Sequence, residues 1–393
     1  MYIERNISNQ FLSLSTQYPV IFLTGPRQSG KTTLARHLFP ETSYFSLENP
    51  DTLEFALSDP RSFLTQSQKG MIIDEAQRAP KLFSYIQALV DADKKPGAYI
   101  LTGSQNFLLL EKITQSLAGR VAILRLLPFS YDEYQSEFDI DDLEDLIIKG
   151  MYPPIHDRGL TKTVWFDQYV ATYIERDVRS IKNIENLNTF QRFLKLCAGR
   201  SGQILNYSSL ANDCGITHNT ARSWISILEA SYIVSLLPPY YENFNKRLIK
   251  SPKLYFLDSG LLCYLLGIHS AEIYAVHPLK GAVFETYIYG ELLKLYFNTA
   301  QRAELYFWRD KTGHEIDFVA PQVNKTISIE VKAGKTISAD YFKNLQYFAS
   351  LAPATEPIVI YNGDEEQRRS AGHVMPVSRA LKYFSDRFAF RSA

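Results

Sequence analysis

Two stretches of this chain carry residue types that act on phosphate oxygens. The first, GPRQSGKTT, runs from Gly25 to Thr33, and the second, ISIEVKAGK, from Ile327 to Lys335. Gly25 to Thr32 fits the pattern G-x-x-x-x-G-K-[ST]. Gly25 and Gly30 let such a loop curl, so that backbone N–H groups of Pro26–Thr33 other than proline point at phosphate oxygens. The side chains of Arg27, Gln28 and Ser29 lie within the same loop. Lys31 would reach the β- and γ-phosphates of ATP, and Thr32 would ligate Mg²⁺. Thr33 continues into a helix whose positive N-terminal end adds to the attraction. The second stretch alternates as a strand. Ile329 and Val331 face one way, and Glu330 and Lys332 face the other.

Each stretch needs partners, and the chain supplies candidates for both. MIIDEAQ provides an apolar strand, Met71 to Ile73, that ends in two acids. Asp74 would hold Mg²⁺ through water, and Glu75 would orient the attacking water. A further strand ends in ILTGSQN, where Thr102 or Ser104 could contact the γ-phosphate or the water. Ser104 is nearly as well suited to capping a helix. For the second stretch, EIDFV places Asp317 between apolar neighbours, and AVFETYIYGEL places Glu285 on a helix. Asp317 and Glu330 could hold Mg²⁺ through oxygen, with Glu285 as a further metal ligand. A metal there polarises a phosphodiester and helps generate hydroxide. Lys332 could orient the water or stabilise developing charge. Glu330 and Lys332 by themselves also suit an edge strand with an ordinary Lys–Glu pair.

The elements that must position these residues are readable from periodicity. At 393 residues the chain is too long for one ordinary core. From Pro19 to about Leu127 short apolar runs (YPVIFLTG, TSYFSL, GMIIDEA, GAYILTG, RVAILRLL) alternate with helical stretches, which predicts an α/β, doubly wound parallel sheet over residues 1–130. Residues 131–189 read as a helical linker broken at GMYPP. Residues 190–275 read as a winged-helix-like unit, and 276–393 as a C-terminal α/β region that starts on the helix AVFETYIYGELLKLYF.

In the third of these, NYSSLANDCGITHNTARSWISILEASYIV has helix-turn-helix logic. His218, Asn219, Arg222 and Ser223 would lie on the open side of its second helix. A basic wing would carry Lys246, Arg247, Lys250 and Lys253. The formal net charge is +0, so DNA would have to be met by such a local patch. A packing or protein-contact module fits the same pattern. Cys197, Cys214 and Cys263 are too scattered for a zinc site. No signal core and no apolar run of about 20 residues is present, which predicts a cytoplasmic protein with no membrane partner.

GPRQSGKTT, MIIDEAQ and LTGSQ resemble the AAA+ ATPases of the additional-strand, catalytic-glutamate class. That resemblance implies an arginine to finish the site. Arg120, just before the last strand, ranks ahead of Arg125, Arg176 and Arg179, and an arginine from a neighbouring subunit would make the protein a homo-oligomer. Glu285, Asp317, Glu330 and Lys332 resemble the PD-(D/E)xK nuclease fold, although Ile316 stands where that motif has proline. With YIERDV, LNYSSLANDCGI, KGAVFE and EVKAG added, nearly the whole chain resembles prokaryotic AAA+ ATP-binding proteins with a C-terminal DUF4143 region. The implied function is Mg²⁺-dependent ATP hydrolysis coupled to DNA binding or to metal-dependent phosphodiester cleavage. The alternatives are a regulatory ATPase that binds DNA or a protein and cuts nothing, and a protein-remodelling switch without DNA.

Overall fold

The structure, a computed structural model, describes residues 2–104, 116–174, 187–241 and 250–389. The five N-terminal apolar runs become β1 (Val20–Thr24), β2 (Ser43–Ser46), β3 (Met71–Asp74), β4 (Tyr99–Gly103) and β5 (Val121–Arg125). All pair in parallel, in the order β2-β3-β4-β1-β5. β1, β3 and β4 are buried at every position, as strands covered on both faces must be. Ile21, Leu23, Ile72 and Ile100 pack with Leu34 and Ala35 of the helix Lys31–Leu38 on one face. Val20, Phe22, Ile73 and Leu101 pack with Phe83 and Ile86 of the helix Leu82–Ala92 on the other. The carboxyl ends of β1, β3 and β4 therefore open side by side, which is where open α/β sheets bind ligands.

The expected linker is helical up to residue 174, with the helices Leu143–Lys149, Pro153–Asp157 and Lys162–Tyr169. The break at GMYPP has a steric cause. Gly150 has φ +72°, and a Cβ there would lie 2.9 Å from the Cα of Gly260. Two backbones approach at this point, and neither position tolerates a side chain.

Helices Leu187–Ala198, Tyr207–Cys214 and His218–Ala230 follow. They accompany a small antiparallel sheet of β6 (Gln203–Ile204), β7 (Val234–Leu237) and β8 (Lys253–Phe256), in the order β6-β8-β7. β8 ends early because Asp258 accepts the Leu261 N–H at 2.8 Å and caps the helix Ser259–Leu266. The long helix Lys280–Asn298 is buried along most of its length. It packs against a mixed six-stranded sheet of β9 (Tyr306–Arg309), β10 (Glu315–Pro321), β11 (Thr326–Lys332), β12 (Thr355–Tyr361), β13 (Gln367–Arg369) and β14 (Gly372–Pro376). Its order is β13-β14-β12-β11-β10-β9. The hairpin of β13 and β14 and the closing helix Val377–Ala389 were not expected.

One apolar cluster runs from Leu127 through Tyr152, Phe193, Tyr255 and Ile288 to Phe384. The expected boundaries at 189/190 and 275/276 therefore cross a shared core. Cys197, Cys214 and Cys263 are buried free thiols. Among the described residues no helix is long and apolar enough to cross a membrane.

Candidate functional site

The loop Gly25–Thr32 leaves β1 and enters the helix Lys31–Leu38, the setting a phosphate loop requires. Gly25, at φ +152°, lies so close to Leu126 that a Cβ would sit 2.1 Å from its carbonyl oxygen. Gly30 is left-handed at φ +94°. Only glycine fits the first position, and the second favours it strongly. The loop is braced from outside. Arg5 donates to the Ser29 carbonyl at 2.8 Å and to the Leu127 carbonyl, and pairs with buried Glu133 at 3.0 Å. Ser29 Oγ donates to the Pro26 carbonyl at 3.0 Å. Lys31 Nζ donates to the carbonyls of Gly25 at 3.1 Å and Pro26 at 2.7 Å. Arg5 carried no signal in the sequence beyond its charge.

Asp74 is the hub of the strand ends. Thr32 Oγ1 and the Tyr44 hydroxyl each donate to its Oδ2 at 2.9 Å. Thr102 donates to Oδ1, which also accepts the Glu75 N–H at 3.1 Å. Thr102 thus contacts the acid. Tyr44 was missed, although β2 pairing beside β3 brings it there. Burial and the neighbouring Asp74 carboxylate push the Tyr44 hydroxyl up to about 12.

Glu75 follows at φ +56°, an uncommon conformation for a residue with a Cβ. Its carboxylate accepts from Gln77, whose amide also donates to Ser104 Oγ at 3.1 Å. Burial raises the proton affinity of Glu75, and Lys31 and Arg27 oppose the rise. Thr33, Glu48, Pro153, Pro154, Asp157 and Arg158 complete a cleft around Arg27, Gln28, Gly30, Lys31, Thr32 and Glu75. Thr32 and Asp74 present adjacent hard oxygens beside the loop, a donor set that fits Mg²⁺ carried with a triphosphate.

Arg120 does not join this site within its own chain. It precedes β5 at the amino end of the sheet, roughly 15 Å of strand from Gly25. Its guanidinium grips Asp91, Nε to Oδ1 at 2.5 Å. Arg125 stands over the Phe297 ring at 5.3 Å. Arg176 and Arg179 lie outside the described residues. The arginine that lines the cleft besides Arg27 is Arg158, which the sequence did not single out.

The C-terminal candidates do come together, around an unexpected guest. Lys253, expected on an exposed basic wing, is 2% exposed in β8. Its Nζ lies 2.5 Å from Glu315 Oε1, 3.2 Å from Glu285 Oε1 and 4.0 Å from Asp317 Oδ1. The hydroxyl of Tyr255 also donates to Glu285 Oε1. A break in register between Ile316 and Val319 surrounds Asp317, whose Oδ2 accepts the Val331 N–H at 2.8 Å. Lys332 Nζ donates to Glu330 Oε1 at 2.6 Å, as the shared strand face predicts, while buried Glu330 Oε2 has no hydrogen-bond partner.

Burial and mutual repulsion push Glu285 up to about 7 and Glu330 up to about 8, and burial raises Asp317. Burial pulls Lys253 down, but Glu285, Asp317 and Glu315 outweigh it and hold the ammonium charged. Glu285 and Asp317 thus face the Lys253 ammonium, and Glu330 faces that of Lys332. An ammonium stands among the carboxylates, and among the described residues no three acidic, histidine or cysteine side chains are placed to hold a metal ion. Lys246 and Arg247 lie outside the described residues, and Lys250 is exposed.

Family models match the chain in three consecutive blocks. An AAA domain covers residues 17–135, and domains of unknown function DUF8612 and DUF4143 cover 140–272 and 280–380. An uncharacterized protein of Mycobacterium bovis is 32% identical over 325 residues, which is 81% of this chain and 71% of the relative. One of Methanocaldococcus jannaschii is 24% identical over 405 aligned positions, covering 88% of this chain and 81% of the relative. A Walker-type ATPase of Pyrococcus abyssi superposes with a TM-score of 0.44 at 16% identity, over 67% of this chain and 96% of that one. The chain belongs to the same family as the mycobacterial protein. Its N-terminal part is an AAA+ ATPase domain, and its C-terminal part is a DUF4143 region.

Proposed function

We propose, with that membership as the premise, that the protein is a Mg²⁺-dependent ATP hydrolase that works as a switch, and that its middle and C-terminal regions engage DNA without cutting it in the state described. The observation that carries the ATPase reading is the contact of Thr32 with Asp74 at 2.9 Å, beside Lys31 and Glu75 at the mouth of one cleft. Backbone N–H groups of the loop bind and orient the phosphates. Lys31 leaves the carbonyls of Gly25 and Pro26 for the β- and γ-phosphate oxygens. Thr32 and Asp74 would hold Mg²⁺, which would supply positive charge against the transferring phosphoryl group. Glu75 holds the attacking water once Gln77 releases its carboxylate. Thr102 fixes Asp74, and Ser104 acts through Gln77. Arg158 and Arg27 supply positive charge at the rim.

His218, Asn219 and Arg222 are exposed on the second helix of the helix-turn-helix segment, which supports DNA contact by a winged helix. The non-cleaving form of the reading is favoured by Lys253, whose ammonium fills the carboxylate cluster. The test is ATP turnover with Mg²⁺ alongside anisotropy of labelled duplex DNA at several salt concentrations. Turnover lost in Lys31→Ala, with duplex binding that weakens steeply in salt and no cleavage products, is expected. Turnover that survives Lys31→Ala rejects the hydrolase, and binding indifferent to salt rejects DNA as the partner.

A further inference from the structure

The middle and C-terminal regions meet at charged contacts, among them Lys280 with Glu144 at 2.7 Å and a cluster around Lys253. Lys253 belongs to β8, inside the block matched by DUF8612, yet its ammonium lies among carboxylates of the DUF4143 block. Glu285 comes from the long helix Lys280–Asn298, and Glu315 and Asp317 come from β10. Four acidic side chains crowd this place once Glu330 is counted, and Glu330 is only 7% exposed with its Oε2 atom unbonded. Oxygen atoms gathered this densely demand a cation, because buried carboxylates repel one another and have lost their water. Lys332 answers Glu330 and Arg309 answers Glu315 from the side, and Lys253 is the cation that stands between Glu285, Glu315 and Asp317.

We propose that Lys253 is the resident cation of the DUF4143 carboxylate site, and that its ammonium and a hard divalent ion compete for one place. This rests on the non-cleaving switch reading and deepens it. With Lys253 seated, the site is closed to metal. With Lys253 removed, Asp317, Glu285 and Glu330 take one Mg²⁺-like ion through oxygen, the ligand type such ions prefer. A basic wing would put this lysine in solvent at a distance from the acids. The geometry instead makes β8 a bolt that the middle region pushes into the C-terminal one.

The test uses the full chain without nucleotide, titrated with Mn²⁺ while free Mn²⁺ is read by electron paramagnetic resonance. Lys253→Met is expected to gain one Mn²⁺ bound at least about tenfold more tightly than any in the wild type, and Asp317→Asn in the same chain to abolish the gain. Binding by Lys253→Met that matches wild type overturns the proposal, as does a wild-type Mn²⁺ site that Asp317→Asn alone removes. Should Lys253→Met not fold, amine labelling of the wild type read by mass spectrometry decides. Lys253 is expected to label at least about tenfold more slowly than exposed Lys250, and equal labelling overturns the proposal. Failure of the ATPase reading shows separately, as turnover that survives Lys31→Ala, and leaves the Mn²⁺ result untouched.

Discussion

The two charged sites of this molecule draw on the same stock of acids and lysines and arrange it in opposite ways. At the phosphate loop, Lys31 bonds to backbone carbonyls, and Asp74 is held by hydroxyls from Thr32, Tyr44 and Thr102. Hydroxyls orient a carboxylate without bringing a positive charge, which leaves the place for a cation that arrives with substrate. At the C-terminal site, Lys253 sits directly against Glu285 and Glu315. There the charge is already answered. A motif read from residue types cannot separate these cases. What separates them is which lysine lies nearest the acids.

The comparison can be broken most directly at its catalytic end. Lys31→Ala and Glu75→Gln are each expected to lower ATP turnover by roughly 100-fold or more, measured as phosphate release, because each removes a group that acts on the reacting phosphoryl or its water. Turnover within a few-fold of wild type in both variants would remove the first half of the contrast. At the other site the same kind of change should appear as stability. Lys253→Ala leaves partly buried Glu285 without its cation and Glu315 with Arg309 alone, and is expected to cost about 3–5 kcal/mol in urea unfolding. A loss below about 1 kcal/mol would show that the ammonium is dispensable.

Acidity gives a smaller contrast with a definite sign. Glu285 and Glu330 hold their protons up to about 7 and about 8 in the folded chain, above the usual 4.5. Their stabilising contribution is complete below about 4.5 and is lost as pH rises through 7 to 8. His156 behaves in the reverse sense. Burial lowers it from 6.5 to about 4, so the unfolded chain takes the proton first and stability falls as pH drops from about 6.5 to 4. Urea midpoints should therefore decline on both arms. Glu330→Gln is expected to flatten the alkaline arm by about 5 kcal/mol at most and His156→Gln the acid arm by about 3 kcal/mol at most. The smallest contrast separates two arginines. Arg158→Ala should slow turnover by about tenfold, whereas Arg120→Ala should change it by less than about twofold, since Arg120 is committed to Asp91 far from the cleft.

The ATPase half was legible because its chemistry is local in sequence. Gly25 to Thr32 is contiguous, and Asp74 and Thr102 occur at strand ends that parallel pairing must align. Tyr44 and Arg5 escaped because each arrives by tertiary packing, with no motif to announce it. The C-terminal half was legible in its acids and not in their partner. Asp317, Glu330 and Lys332 fall on paired strands, and Glu285 on the helix that covers them. Lys253 looked like one more charge in NKRLIKSPK, because alternation along a strand only four residues long cannot show which face a neighbouring block will cover. The helix Ser259–Leu266 was hidden for a related reason. LLCYLL is apolar on every side, so periodicity could not distinguish a buried helix from a strand.

The core that runs unbroken from Leu127 to Phe384 has a mechanical consequence. Ile155, in the helix at the rim of the phosphate cleft, and Val331, beside Glu330, are anchored in the same packed mass. Close-packed interiors transmit displacement and compress very little. Pro153–Asp157 is therefore packed into the same body as the strand that carries Glu330 and Lys332. That body is fastened beside the phosphate loop by Arg5, which ties Glu133 to the Leu127 carbonyl.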